Sequence, residues 1–110
     1  MDTAKLKELG FIPVVEAEQK EITGGFCGDL LSWAMGKAKS GDCWFTVMGN
    51  LNVIAVASLA DVAAVVLCQD VQLAQDAQKR AVQEGICVFR TELSEYEAAI
   101  RFYNLYSGKD

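Results

Sequence analysis

Three short apolar runs, residues 43–48 (CWFTVM), 63–68 (AAVVLC) and 86–90 (ICVFR), begin about twenty residues apart, and helical patterns fill the gaps. Each is rich in β-branched, aromatic or small apolar residues and lacks polar alternation, as expected of strands covered on both faces. A strand that returns to the sheet through a helix becomes a parallel neighbour by a right-handed crossover. The spacing therefore predicts a three-layer α/β/α domain, with helices on both faces of a small open, mostly parallel sheet of about four strands.

The connecting segments agree. Asn50 stands where a helix N-cap is wanted, its side-chain oxygen free to accept from an orphan amide of a helix over residues 51–60. That helix is apolar almost all round, with only Asn52 and Ser58 polar, so one face packs on the sheet and the other needs cover from another element or another subunit. Residues 73–84 place Ala74, Ala77, Ala81 and Val82 among Gln, Asp, Lys and Arg, an amphipathic helix closed by Gly85. Ser94 with Glu97 forms a capping box for a last helix, whose apolar stripe is Tyr96, Ala99, Ile100 and Tyr103. Upstream, residues 4–9 make a short amphipathic helix stopped by Gly10, and residues 11–15 (FIPVV) a strand that Pro13 confines to an edge. Residues 16–25 read as a polar loop ending in Thr23-Gly24-Gly25, followed by a helix over residues 29–38; residues 107–110 read as a polar tail.

At 110 residues the chain is one domain, residues 1–110, long enough to bury a core without metal or disulfide staples. A net charge of −5 opposes a phosphate backbone, so no nucleic acid partner is expected. With no histidine, His-based triads and His metal sites are excluded. Cys27, Cys43, Cys68 and Cys87 form no CxxC or other close pair, and read as reduced structural thiols in a cytoplasmic protein; no metal and no cofactor are expected. An iron-sulfur or redox partner using these thiols is a third reading. The first ten residues carry Asp2, Lys5, Lys7 and Glu8 and no apolar h-region, which speaks against a signal peptide, and the most apolar stretch is too short for a membrane span.

In an open parallel sheet, ligands bind beyond the carboxyl ends of the strands, where helix N-termini present free amides. Three loops are expected there: Thr23-Gly24-Gly25 before the first large helix, Gly49-Asn50, and Arg90-Thr91. The glycines let a backbone approach a phosphate or carboxylate, Asn50 offers a hydrogen bond and Arg90 a cation. Equally, the glycines are turn residues, Asn50 a cap and Arg90 a solvated strand end. Asp29 opposes an anion, since a carboxylate at a helix start occupies the same amides. No Lys followed by Ser or Thr accompanies the glycines, so no phosphoryl-transfer loop can be drawn. Asp42 and Asp61 read as turn residues, and Glu92, Glu95 and Glu97 as carboxylates meeting a helix dipole.

Three blocks, Gly28-Asp29-Leu30-Leu31-Ser32, Trp44-Phe45-Thr46-Val47-Met48-Gly49-Asn50 and Val56-Ala57-Ser58-Leu59-Ala60-Asp61-Val62-Ala63, carry a resemblance. The chain resembles the small stand-alone DRTGG-domain proteins, similar to the N-terminal domain of HPr kinase/phosphorylase, over roughly residues 6–101. The DRTGG string itself is absent; only Thr23-Gly24-Gly25 echoes its end. The resemblance implies a compact α/β domain of the kind found beside CBS pairs, serving regulation or subunit contact, while the catalytic loop of HPr kinase lies in a different domain. Single-domain relatives near iron-only hydrogenase genes imply a redox-regulatory context.

The expectation is thus a non-enzymatic regulatory or interaction module, a homodimer with a regulatory protein partner, in contact through Trp33, Leu51, Ile54 and Leu59. The alternative is a sensor of an adenine nucleotide or other small anionic ligand, bound by Thr23, Gly24, Gly25, Gly49, Asn50, Arg90 and Thr91.

Overall fold

The computed structural model describes residues 1–108; of the expected polar tail, Lys109 and Asp110 lie outside the described residues. The chain folds as a three-layer α/β/α sandwich around one five-stranded sheet, one strand more than the spacing predicts. In chain order the strands are β1 (Ile12–Val15), β2 (Gly24–Cys27), β3 (Asp42–Thr46), β4 (Ala64–Leu67) and β5 (Cys87–Arg90). They lie side by side as β1-β5-β4-β3-β2. β2 through β5 are mutually parallel, and β1 joins β5 antiparallel. The helices are α1 (Leu31–Lys37), α2 (Leu51–Ala60), α3 (Gln75–Glu84) and α4 (Glu95–Ser107).

Alternation along the strands builds two cores. Trp44, Val65, Leu67 and Val88 point to the face covered by Ala34 of α1, Val53, Ile54 and Ala57 of α2, and Ala77 and Ala81 of α3. Cys43, Phe45, Ala64, Val66, Cys87 and Phe89 point to the other face, under Leu6 and under Ala98 and Phe102 of α4. The central strands β3 and β4 are buried throughout, which explains why their sequences show no polar alternation. Residues Thr3–Leu9 form the expected short helix, closed by Gly10, but as a 3-10 rather than an α-helix.

Asn50 caps α2 as expected, its side chain accepting from Val53 N at 3.1 Å. The apolar breadth of α2 is answered within the chain: it packs between α1 and α3 as well as on the sheet. Ser94 and Glu97 form the capping box of α4. The buried face of that helix, however, is Ala98 and Phe102, and the stripe of Tyr96, Ile100 and Tyr103 faces outward. Pro13 does sit on an edge strand, with a register break between Pro13 and Val15.

The missing strand is β2. Gly-Gly-Phe-Cys has no β-branched residue and reads as a turn, yet it pairs in parallel register with β3, from Gly24 opposite Asp42 to Cys27 opposite Phe45. Neighbouring backbone, not local propensity, makes it extended.

Candidate functional site

The carboxyl ends of the four parallel strands converge with the start of α4. Asp29, in the short loop between β2 and α1, reaches over the end of β3. Its Oδ1 accepts from Thr46 Oγ1 at 2.7 Å and from Val47 N at 2.8 Å. Burial pushes its carboxyl up, but hydrogen bonds with Glu95, Thr46 and Val47 outweigh burial and hold it below the usual range. Glu95, in the first turn of α4, takes the opposite direction. Burial, the hydrogen bond with Asp29 and repulsion by that carboxylate push it up to about 7. Two carboxyls so placed disfavour double ionisation, so a proton is retained between them closer to neutrality than on a free glutamate. By sequence Glu95 is a helix-dipole carboxylate; its partner Asp29 is remote in the chain, so spacing does not reveal the pair.

Two thiols border this pair. Burial, then Glu95 and Asp29, raise Cys27, and burial first among several causes raises Cys68 to about 12. In both the thiolate is disfavoured, which slows nucleophilic chemistry without abolishing it at the exposed Cys27. Among the described residues no group of three or more His, Cys, Asp or Glu side chains could hold a metal ion.

The expected ligand loops divide into two places. Thr23, Gly24 and Gly25 are at the amino end of β2, at the opposite end of the sheet from Gly49, Asn50, Arg90 and Thr91. Reading residues 24–25 as the end of a loop rather than the start of a strand put them at the wrong end; Gly28, Asp29 and Leu30 form the actual loop. Gly49 is covered: a Cβ there would lie 2.3 Å from the Gln72 carbonyl oxygen, and its own carbonyl accepts from Ala74 N at 2.9 Å. Arg90 Nε lies 3.0 Å from Asp70 Oδ1, and its Nη1 reaches Gln72 Oε1 at 3.5 Å. Thr91 is buried; its hydroxyl accepts from Leu93 N at 3.2 Å and its carbonyl from Asp70 N at 2.8 Å. Gly49, Asn50 and Thr91 already serve this chain's own structure, and Arg90 is paired with Asp70, although its buried Nε makes no aligned hydrogen bond.

The expected contact residues divide too. Ile54 is fully buried in the core and presents nothing outward, and Leu51 is half-buried. Leu59 and Trp33 are exposed, Trp33 with Lys37 Nζ 5.7 Å from its ring centroid.

A different surface stands out beside β2. Two open grooves of about 430 and 490 Å3 share Cys27, Ala99 and Tyr103 and run between β2 and the outer face of α4. Gly25 permits the close seating of α4, since a Cβ there would come within 3.2 Å of Phe102. Tyr106 donates its hydroxyl to Thr23 O at 2.7 Å and pins the other end of the helix. Tyr96 is 76% exposed and Tyr103 57% exposed along this face. A larger hollow of about 610 Å3 is lined by α3 alone and encloses no chemistry.

No protein-family model and no curated protein sequence matches the chain. Among solved structures, the CBS and DRTGG domains of the regulatory region of Clostridium perfringens pyrophosphatase, complexed with its activator diadenosine tetraphosphate, superpose with a TM-score of 0.73. The match covers 89% of this chain and 44% of that chain at 10% identity. The chain thus has a DRTGG-like α/β fold and spans less than half the length of that regulatory region. No helix is long and apolar enough to cross a membrane among the described residues.

Proposed function

We propose that this chain is a non-catalytic regulatory module that acts by binding another protein. One observation carries the reading: the carboxyl end of the sheet, where a site of this architecture forms, is filled by contacts within the chain, while exposed apolar surface gathers along β2 and α4. The fold shared with part of a pyrophosphatase regulatory region supports a regulatory role. The four cysteines are free, which supports the cytoplasm as its compartment. The similarity to the HPr kinase N-terminal domain belongs to the same proposal, as a likeness of a non-catalytic region. Affinity capture, followed by rate measurements on each stoichiometric partner with and without added chain, tests the reading. A partner whose rate changes supports it; the absence of any stoichiometric partner removes it.

A second reading is nucleotide sensing, favoured by the diadenosine tetraphosphate bound to the pyrophosphatase region. Here the ligand would lie across the carboxyl end of the sheet, which carries Arg90, Asn50 and the Asp29–Glu95 pair. A ligand at 100 times its dissociation constant adds about 2.7 kcal/mol of stability. A thermal-shift panel of adenine mononucleotides and diadenosine tetraphosphate tests this directly, and an unmoved melting temperature across the panel removes it.

A further inference from the structure

The two edges of the sheet are built differently. β1 carries Pro13 and a register break, both of which blunt an edge against further pairing. β2 carries Gly24, Gly25, Phe26 and Cys27, with no proline, charge or bulge, and pairs with β3 on one side. Thr23 donates its N–H inward to Gly41 O at 2.9 Å, so the alternation of the ladder turns the N–H and C=O groups of Gly24 and Phe26 outward. Beside this open edge runs the uncharged stripe of Tyr96, Ile100, Tyr103 and Tyr106, all exposed.

We infer that the occupant of this edge is a second copy of the chain, with β2 pairing antiparallel to the partner's β2 about a two-fold axis perpendicular to the sheet. Such an axis preserves the faces of the sheet, so each tyrosine stripe meets its own image. The stripe itself carries no charge and is complementary to itself, while the Glu95 carboxyl lines the same groove beside Tyr96. The assembly also closes. Pairing consumes the open edge of each copy and leaves the proline-bearing β1 at both outer ends of a continuous sheet, which stops growth at two subunits. The three tyrosines, whose side chains bury ~150–250 Å2 each when fully covered, are 76%, 57% and 37% exposed, and with Ile100 and a strand edge they supply several hundred Å2. That is the order of the ~800 Å2 per partner of a standard interface, roughly one-seventh of the 5851 Å2 surface. The inference deepens the reading as a binding module by moving self-association from α2, whose flanks are covered by α1 and α3, to β2 and α4.

Light scattering on the full chain at micromolar concentration tests it. The expected mass is twice 12.0 kDa. The double variant Tyr96→Glu, Tyr103→Glu, at two exposed positions, is expected to return to monomer or associate at least tenfold more weakly, and Leu59→Glu on α2 to leave the dimer intact. A wild-type monomer at all concentrations overturns the inference, as does a double variant that still dimerises or a Leu59→Glu dimer that splits. Should the double variant fail to fold, maleimide labelling of exposed Cys27 in the wild type decides: dilution must speed it, and a concentration-independent rate overturns the pairing. A monomer that still regulates a captured partner sinks the dimer alone; a dimer with no partner sinks the proposed function alone.

Discussion

Glu95 and Asp29 hydrogen-bond carboxyl to carboxyl at the carboxyl end of the sheet, and Thr46 and the Val47 amide hold the Asp29 side of the pair. The asymmetry assigns the proton. Asp29 has two donors that favour its ionised form, so Glu95 carries the proton and responds to pH.

Stability is therefore expected to fall as pH rises from about 4.5 to about 7. The folded state binds the Glu95 proton more tightly than the unfolded chain, so this contribution is fully present below the unfolded pKa and is lost as pH passes through the raised one. Asp29 acts with the opposite sign and only below about 3.8, since its folded pKa is lowered. Because Glu95 is only partly buried, the effect is discounted for solvent screening to about 1 kcal/mol. Urea midpoints across this range check it: Glu95→Gln, which keeps a donor toward Asp29 but does not titrate, should flatten the slope. An unchanged slope in that variant rejects the shared proton.

Gly49 is expected to tolerate no side chain. The Cβ of Gly49→Ala would lie 2.3 Å from the Gln72 carbonyl oxygen, a backbone atom in the loop leading to α3. That loop must shift or the Gly49–Ala74 hydrogen bond must break, for a loss of about 1–3 kcal/mol. Denaturant unfolding measures it; a loss under about 0.5 kcal/mol would mean the loop is not seated as described.

Asn50 separates capping from ligand recognition. Asn50→Ala should cost about 1 kcal/mol, because Val53 N loses its acceptor, whereas Asn50→Asp should restore most of it. If the side chain instead serves an anionic ligand, Asn50→Asp will abolish any nucleotide-induced thermal shift while leaving the unliganded melting point near wild type.

How far the sequence reveals this molecule depends on whether a feature is local. The strands at 43–48, 63–68 and 86–90, the Asn50 cap, the Ser94–Glu97 box and the edge position of Pro13 are written in neighbouring residues, and each is found in the structure. β2 is not, since glycines carry no strand preference and only the parallel pairing with β3 extends them. Missing that strand moved Thr23, Gly24 and Gly25 to the wrong end of the sheet. The face of α4 was reversed for a related reason. Tyr96, Ile100 and Tyr103 form the more conspicuous stripe, but Phe102 and the small Ala98 fit against Phe45 and the sheet. The Asp29–Glu95 pair joins the β2–α1 loop to the first turn of α4, brought together by the crossover order alone, so no motif announces it.

Gln69 and Asp70 adopt successive left-handed conformations, φ 57° and 56°, at the end of β4. Neither is glycine, so each pays a steric cost that the surroundings must offset. The offsets are backbone bonds: Gln69 N donates to Leu93 O at 2.9 Å and Asp70 N to Thr91 O at 2.8 Å, tying this turn to the segment that leads into α4. Asp70 also holds Arg90, so replacing it would confound strain with a lost ion pair. Gln69 makes no such contact. Gln69→Gly should thus relieve strain without removing a partner and raise stability by roughly 0.5–1 kcal/mol, despite the extra entropy of the unfolded glycine. Chemical denaturation of the single variant measures the change. A destabilised Gln69→Gly protein would show that the turn is held by packing of the glutamine stem and not merely tolerated.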